Sequence, residues 1–143
     1  MDEKNESMVV LPSDEKAPGT ARRMVGEAFA QWGLDADMAR VVTSELVTNA
    51  YLHAKGTHVI VVRTWLRDDG HVVIEVWDSS DVIPVRGEPN DTGESGRGLF
   101  MVEKLTLAWG ARPLADGTGK IVWAALASRP EVKADGLRQG MRA

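Results

Sequence analysis

Residues 38 to 54 carry an apolar rhythm that suits a helix, and two polar side chains sit in the middle of it. At about 100° per residue, Met38, Val41, Val42, Leu46 and Leu52 share one broad stripe. Glu45 and Asn49 fall within that stripe, one helical turn apart on the same face. A face of this kind packs against a core. An acid and an amide placed there need partners, because burying a polar group without a hydrogen bond costs several kcal/mol. Two readings stand. One is a buried hydrogen-bond network internal to the fold. The other is a ligand-lined helix face that offers a carboxylate and a metal-binding amide oxygen. The helix alone leaves both open.

Composition limits what such a ligand can be. A chain of 143 residues reads as one domain with room for a real core. It has no cysteine, which excludes disulfides and thiolate metal sites. Its three histidines, His53, His58 and His71, do not pair at zinc-ligand spacing. A net charge of -4 gives no support to a nucleic-acid partner. No apolar run approaches membrane-spanning length, and Met1 to Glu6 does not read as a signal peptide. The expectation is a cytoplasmic protein with neither a nucleic-acid nor a membrane partner.

Residues 1 to 7 are polar and read as a disordered N-terminus. Met8 to Pro12 reads as a short edge strand ended by proline. Ser13 to Lys16 leads into a helix whose apolar stripe is Met24, Val25, Ala28, Phe29 and Trp32, with Gly33 as its stop. Arg22 and Arg23 suit a partner surface or a solvated face. Asp35 is placed to cap the second helix, which Lys55-Gly56 closes. Residues 58 to 66 and 71 to 78 read as two strands joined at Asp69-Gly70, a hairpin signal. Alternation puts Val72, Ile74, Val76 and Asp78 on one face and Val73, Glu75 and Trp77 on the other. Asp78 therefore ends a row of core-facing side chains. It is the second acid at a position where an apolar residue was expected.

Residues 79 to 96 are rich in Gly, Pro, Ser, Asp and Asn, and loops of that length are usually functional. Gly96-Arg97-Gly98 opens a short helix with Leu99, Met101, Val102 and Leu105 apolar. Residues 107 to 111 and 120 to 126 read as two further strands, with Asp116 to Gly119 turning between them. Residues 129 to 143 are polar and basic and read as a flexible tail. The order β-α-α-β-β-loop-α-β-β predicts an α+β fold, a mixed and largely antiparallel sheet backed by helices.

Gly93, Gly96 and Gly98 precede a helix, where free N–H groups and the positive end of the dipole suit phosphate. The segment is no P-loop, since no Lys-Ser or Lys-Thr follows at the required place. Arg97 suits a terminal phosphate or a plain surface position. Asp78 can accept a hydrogen bond from an exocyclic amine such as that of adenine. Asn49 offers an uncharged oxygen to Mg²⁺, and Glu45 can take a proton from an attacking hydroxyl.

In order and spacing these segments resemble the GHKL ATPases, the group with the Bergerat ATP-binding fold. Glu45-Leu46-Val47-Thr48-Asn49-Ala50 resembles the N box, and Asp78-Ser79-Ser80 stands where the G1 box begins. Gly96-Arg97-Gly98-Leu99 resembles the G2 box, and Gly117-Thr118-Gly119-Lys120 the last glycine-containing box. The resemblance covers residues 8 to 128 as one ATP-binding domain. Within the group, the small size, the Trp-Gly end of the first helix and the run Ser-Glu-Leu-Val-Thr-Asn-Ala are most similar to bacterial anti-sigma-factor serine/threonine kinases. The resemblance implies that Asn49 binds Mg²⁺ and that Glu45 is the general base. It implies that Asp78 binds the adenine amine with help from a hydroxyl such as that of Thr118. Residues 80 to 98 would form a lid over ATP, with Gly96, Arg97, Gly98 and Leu99 at the nucleotide. The G1 box departs from its common form, Asp-x-Gly-x-Gly. Here it reads Asp78-Ser79-Ser80-Asp81-Val82, without either glycine.

The implied activity is ATP-dependent phosphorylation of a small antagonist protein, coupled to binding of a sigma factor, and the resemblance admits a homodimer. The alternative is an ATP-binding interaction module without phosphotransfer. A split histidine kinase ranks last, because the sequence offers no phosphoacceptor helix.

Overall fold

The computed structural model describes residues 5–53, 58–80 and 94–128. The elements are β1 (Glu6–Pro12), α1 (Ala17–Gln31), α2 (Asp37–His53), β2 (Val59–Leu66), β3 (His71–Asp78), α3 (Glu94–Leu105), β4 (Ala108–Pro113) and β5 (Lys120–Ala127). The strands form one sheet in the order β1-β2-β3-β5-β4, and every neighbouring pair is antiparallel. The α+β expectation holds, with the sheet antiparallel throughout its described strands and not mixed. β1 begins at Glu6, inside the stretch expected to be disordered, because it pairs with β2 from Glu6 opposite Trp65 to Pro12 opposite Val59. The expected tail at residues 129–143 and most of the expected lid lie outside the described residues.

The turns form where their chemistry demands. Gly33 has a φ of 72°, and the amides of Gly33 and Leu34 bond back to the carbonyls of Ala30 and Phe29. That is the glycine-terminated helix end in which two orphan carbonyls are satisfied. The Asp35 carboxylate accepts from the Asp37 amide at 2.9 Å, answering one of the free donors at the start of α2. Gly70, at a φ of 88°, closes the β2–β3 hairpin.

One face of the sheet is the core. Ile60, Val62, Val72, Ile74, Val76, Val122, Ala124 and Leu126 pack there with Val25 and Phe29 of α1, Val42 and Leu46 of α2, and Leu99 and Val102 of α3. The opposite face carries Arg63, whose guanidinium reaches Glu6 at 2.7 Å and Glu75 at 3.3 Å.

α2 is turned from its expected setting. Its buried residues are Ala39, Val42, Thr43, Leu46, Val47 and Ala50, whereas Met38, Val41 and Leu52 are 48%, 38% and 39% exposed. Small residues face inward because α2 is enclosed by α1, α3 and the sheet, and close approach favours Ala and Thr over larger side chains. Glu45 and Asn49 consequently lie half-buried at the flank of the core, not in its centre. Met101 of α3, expected to be apolar core, is 44% exposed. Leu46→Ala should lose about 2–5 kcal/mol of stability, the usual result for a buried Leu. Val41→Ala should stay within about 0.5 kcal/mol. Urea denaturation of both variants checks the setting of α2, and a comparable loss at Val41 would refute it.

Candidate nucleotide site

Asp78 ends β3 at the helix-packed face, where alternation placed it. Its partner is Lys120, the first residue of β5 and its register neighbour across the ladder. Lys120 Nζ donates to Oδ1 of Asp78 at 2.8 Å and to Oδ2 at 2.9 Å. The two side chains are 6% and 1% exposed respectively, so this is a buried ion pair. Two charges removed from water each carry a desolvation penalty, which close geometry and further hydrogen bonds must offset. The Ser80 amide supplies one such bond, donating to Asp78 Oδ1 at 2.9 Å.

That bond also accounts for Ser80 where the G1 box commonly has glycine. The Asp78 carboxylate turns its own chain by accepting the amide two residues on, a turn that Asp forms readily. Among the described residues no non-glycine has a positive φ, so Ser80 needs no glycine-only conformation. A glycine is needed instead at Gly119, which has a φ of 132° and backs onto the Asp78 carbonyl so closely that a Cβ would collide with it. Gly119 thus lets β5 begin directly against the end of β3 and sets Lys120 on Asp78.

Thr118, expected beside the adenine, is on the exposed turn between β4 and β5. Its hydroxyl donates to Asp116 Oδ1 at 2.6 Å and its amide to the same oxygen at 3.0 Å. Those two bonds, the hydroxyl's first, hold the Asp116 carboxyl below its ordinary range. The side chain of that segment that meets the Asp78 carboxylate is that of Lys120, which the sequence placed in a glycine motif and at the start of a strand but not in the site. The available signal was the pair of alternations. Asp78 and Lys120 each extend an inward-facing row, Val72-Ile74-Val76 and Val122-Ala124-Leu126.

On α2, the Glu45 carboxylate rests against the backbone of Gly98, so closely that a Cβ at Gly98 would meet Oε1. The first turns of α3 contain Gly96, Arg97 and Gly98, and Leu99 anchors that end in the core at 1% exposure. Asn49 follows Glu45 by one turn on the same side of α2. The structure therefore brings Glu45 to Gly98 of α3 and pairs Asp78 with Lys120 across β3 and β5. Among the described residues no cluster of three His, Asp or Glu could hold a metal by itself. Asn49 could give a cation one side-chain oxygen. That suits Mg²⁺, which is usually bound by one or two protein groups plus substrate phosphates.

The comparisons with known proteins bear on the fold that carries these residues. The profile of the histidine kinase-like ATPase domain matches residues 11–126, which runs from β1 through β5 and includes every segment above. The chain belongs to that family. Its fold is similar to the crystal structure of the RsbU and RsbW domains of Rv1364c from Mycobacterium tuberculosis, with a TM-score of 0.64 and 28% identity over 87% of this chain. The match spans 32% of that longer protein. The histidine kinase domain of the blue-light activated histidine kinase from Erythrobacter litoralis EL346 shares the fold at a TM-score of 0.50 and 18% identity, over 82% of this chain and 61% of that one. No curated protein sequence matches the chain. This histidine kinase-like domain has no helix among its described residues that is long and apolar enough to cross a membrane.

In this family member the ion pair should behave as a unit. Lys120→Met leaves the Asp78 carboxylate buried alone and should cost about 3–5 kcal/mol. Adding Asp78→Leu should restore most of the loss, since apolar pairs of similar volume replace buried ion pairs at little cost. Guanidinium denaturation of the two variants tests this. Wild-type stability in the single variant would show that the pair is not excluded from solvent.

Proposed function

We propose that this domain is an ATP-dependent protein serine/threonine kinase of the anti-sigma-factor type, acting in the cytoplasm. It would phosphorylate a small antagonist protein and bind a sigma factor. The observation that carries the reading is the contact of Glu45 with Gly98 in a chain that belongs to the ATPase family. That contact sets a carboxylate beside Gly98, where in this reading a nucleotide's phosphates would lie. Similarity to a protein whose structure holds RsbU and RsbW domains supports a regulatory setting with protein partners.

In this reading Asp78 accepts a hydrogen bond from the adenine amine at the sheet end of the site. Gly96, Arg97, Gly98 and Leu99 form the phosphate end in the first two turns of α3, where the free N–H groups of the first turn and a guanidinium balance phosphate charge. Asn49 would supply the protein oxygen to Mg²⁺, which when bound shields the charge of the phosphates. Glu45 orients the serine hydroxyl of the antagonist and accepts its proton. As the serine oxygen bonds to the γ-phosphorus, the bond to the bridging oxygen breaks and ADP leaves. Most of the rate then comes from positioning and charge, as in phosphoryl transfer generally.

The test pairs binding with chemistry. Glu45→Ala should bind ATP within a few-fold of wild type while phosphate transfer to the antagonist falls by roughly 10²–10⁴, the usual worth of a general base. Asn49→Ala should lose the metal-dependent part of ATP affinity together with transfer. Calorimetry with and without Mg²⁺ and labelled-phosphate transfer provide the readouts. Undiminished transfer by Glu45→Ala would remove Glu45 as the base. ATP binding by the wild type with no transfer to any antagonist would leave the nucleotide-binding interaction module.

A further inference from the structure

The ion pair between the end of β3 and the start of β5 is more than a charge hidden in the core. Oδ1 of Asp78 already accepts two hydrogen bonds, from Lys120 Nζ and the Ser80 amide. Oδ2 accepts one, from Lys120 Nζ. A carboxylate oxygen has room for two donors, so among the described residues Oδ2 keeps one acceptor position. An ammonium has three N–H donors. Among the described residues the hydrogen bonds of Lys120 Nζ are the two to Asp78, which leaves one donor. Nζ is within 2.9 Å of both oxygens, so a group that bonds to Oδ2 arrives beside the ammonium. What little exposure the pair retains is mostly that of Lys120, at 6% against 1% for Asp78. The site thus presents an acceptor and a donor side by side. It is held in place by the β3–β5 register and by the close seating of Gly119 on the Asp78 carbonyl.

We propose that Lys120 is a base-reading residue. While Asp78 accepts from the exocyclic amine of adenine, Lys120 donates to the neighbouring ring nitrogen, N1. This rests on the reading of Asp78 as the adenine contact. A carboxylate alone can recognise the amine and nothing else on that edge. With Lys120 tethered to it, the site also requires an acceptor next to the amine, and it meets that acceptor with a full charge in a dry environment. Hydrogen bonds to charged groups are the strong ones. Lys120 is therefore a specificity determinant, and Asp78 is the group that positions it.

The probe is 1-deaza-ATP, which keeps the amine and the triphosphate but has a C–H in place of N1. Wild-type protein with Mg²⁺ should bind it about ten- to a hundredfold more weakly than ATP. Lys120→Met should bind the two nucleotides within a few-fold of each other. Should that variant fail to fold, the wild type decides by NMR. The ¹⁵N resonance of Lys120 Nζ, assigned by its loss in Lys120→Arg, should shift with ATP and not with 1-deaza-ATP. Equal binding of the two nucleotides by the wild type overturns the proposal and leaves the ATP reading intact. So does undiminished discrimination by Lys120→Met, or the same Nζ shift with both nucleotides. Failure of the wild type to bind ATP at all defeats the nucleotide reading, and this proposal with it.

Discussion

An ammonium and a carboxylate share a protein interior only when each meets the other's need for hydrogen bonds. Lys120 and Asp78 do so across 42 residues of sequence. Between them the chain leaves the sheet, forms α3, returns as the edge strand β4 and turns back into β5. The pairing of β3 with β5 is therefore a long-range event on which the charged pair and the helix layer around it depend. It inserts β5 between β3 and β4, closes the core face over which α2 lies, and draws α3 to α2. It also places the charged pair at the end of two apolar rows, Val72-Ile74-Val76 and Val122-Ala124-Leu126, where a one-residue slip would turn either charge to the other face of the sheet.

The same closure sets the chemistry of α2. The helix buries Ala39, Thr43, Val47 and Ala50 along with Val42 and Leu46, because it is hemmed in by two helices and three strands. With that side committed to packing, Glu45 and Asn49 come to the margin, and Glu45 rests on Gly98. A carboxylate at a margin keeps access to water and ligand. One in the centre of the core would carry the full cost of burial.

The loss of glycine from the G1 segment has a similar logic. Glycine is needed where the backbone conformation or a close approach demands it. At Ser80 the conformation makes no such demand, since no described non-glycine has a positive φ and the Asp78 carboxylate makes the turn by accepting an amide. Across the ladder a glycine is required at Gly119, which backs onto the Asp78 carbonyl. Two segments far apart in sequence thus share one steric requirement.

Much was legible from the chain alone. The 2-residue period of β3 placed Asp78 on the core face, Gly33 and Asp35 marked the ends of two helices, Asp69-Gly70 marked the hairpin, and the order of the glycine-containing segments indicated the ATPase family. Each of these is local, a matter of backbone preference or of alternation within one element. Two features were decided only by the tertiary structure. A helical period fixes the spacing of a buried stripe and leaves its centre open when large apolar residues compete with small ones. The close approach of neighbouring elements then chose Ala39, Thr43 and Ala50 over Met38, Val41 and Leu52. A lysine after a glycine turn ordinarily reads as solvated, and whether it is buried against an acid depends on which strand lies beside it. The β3–β5 register made that choice for Lys120, because only in the assembled sheet does the ammonium find the carboxylate that can hold it out of water.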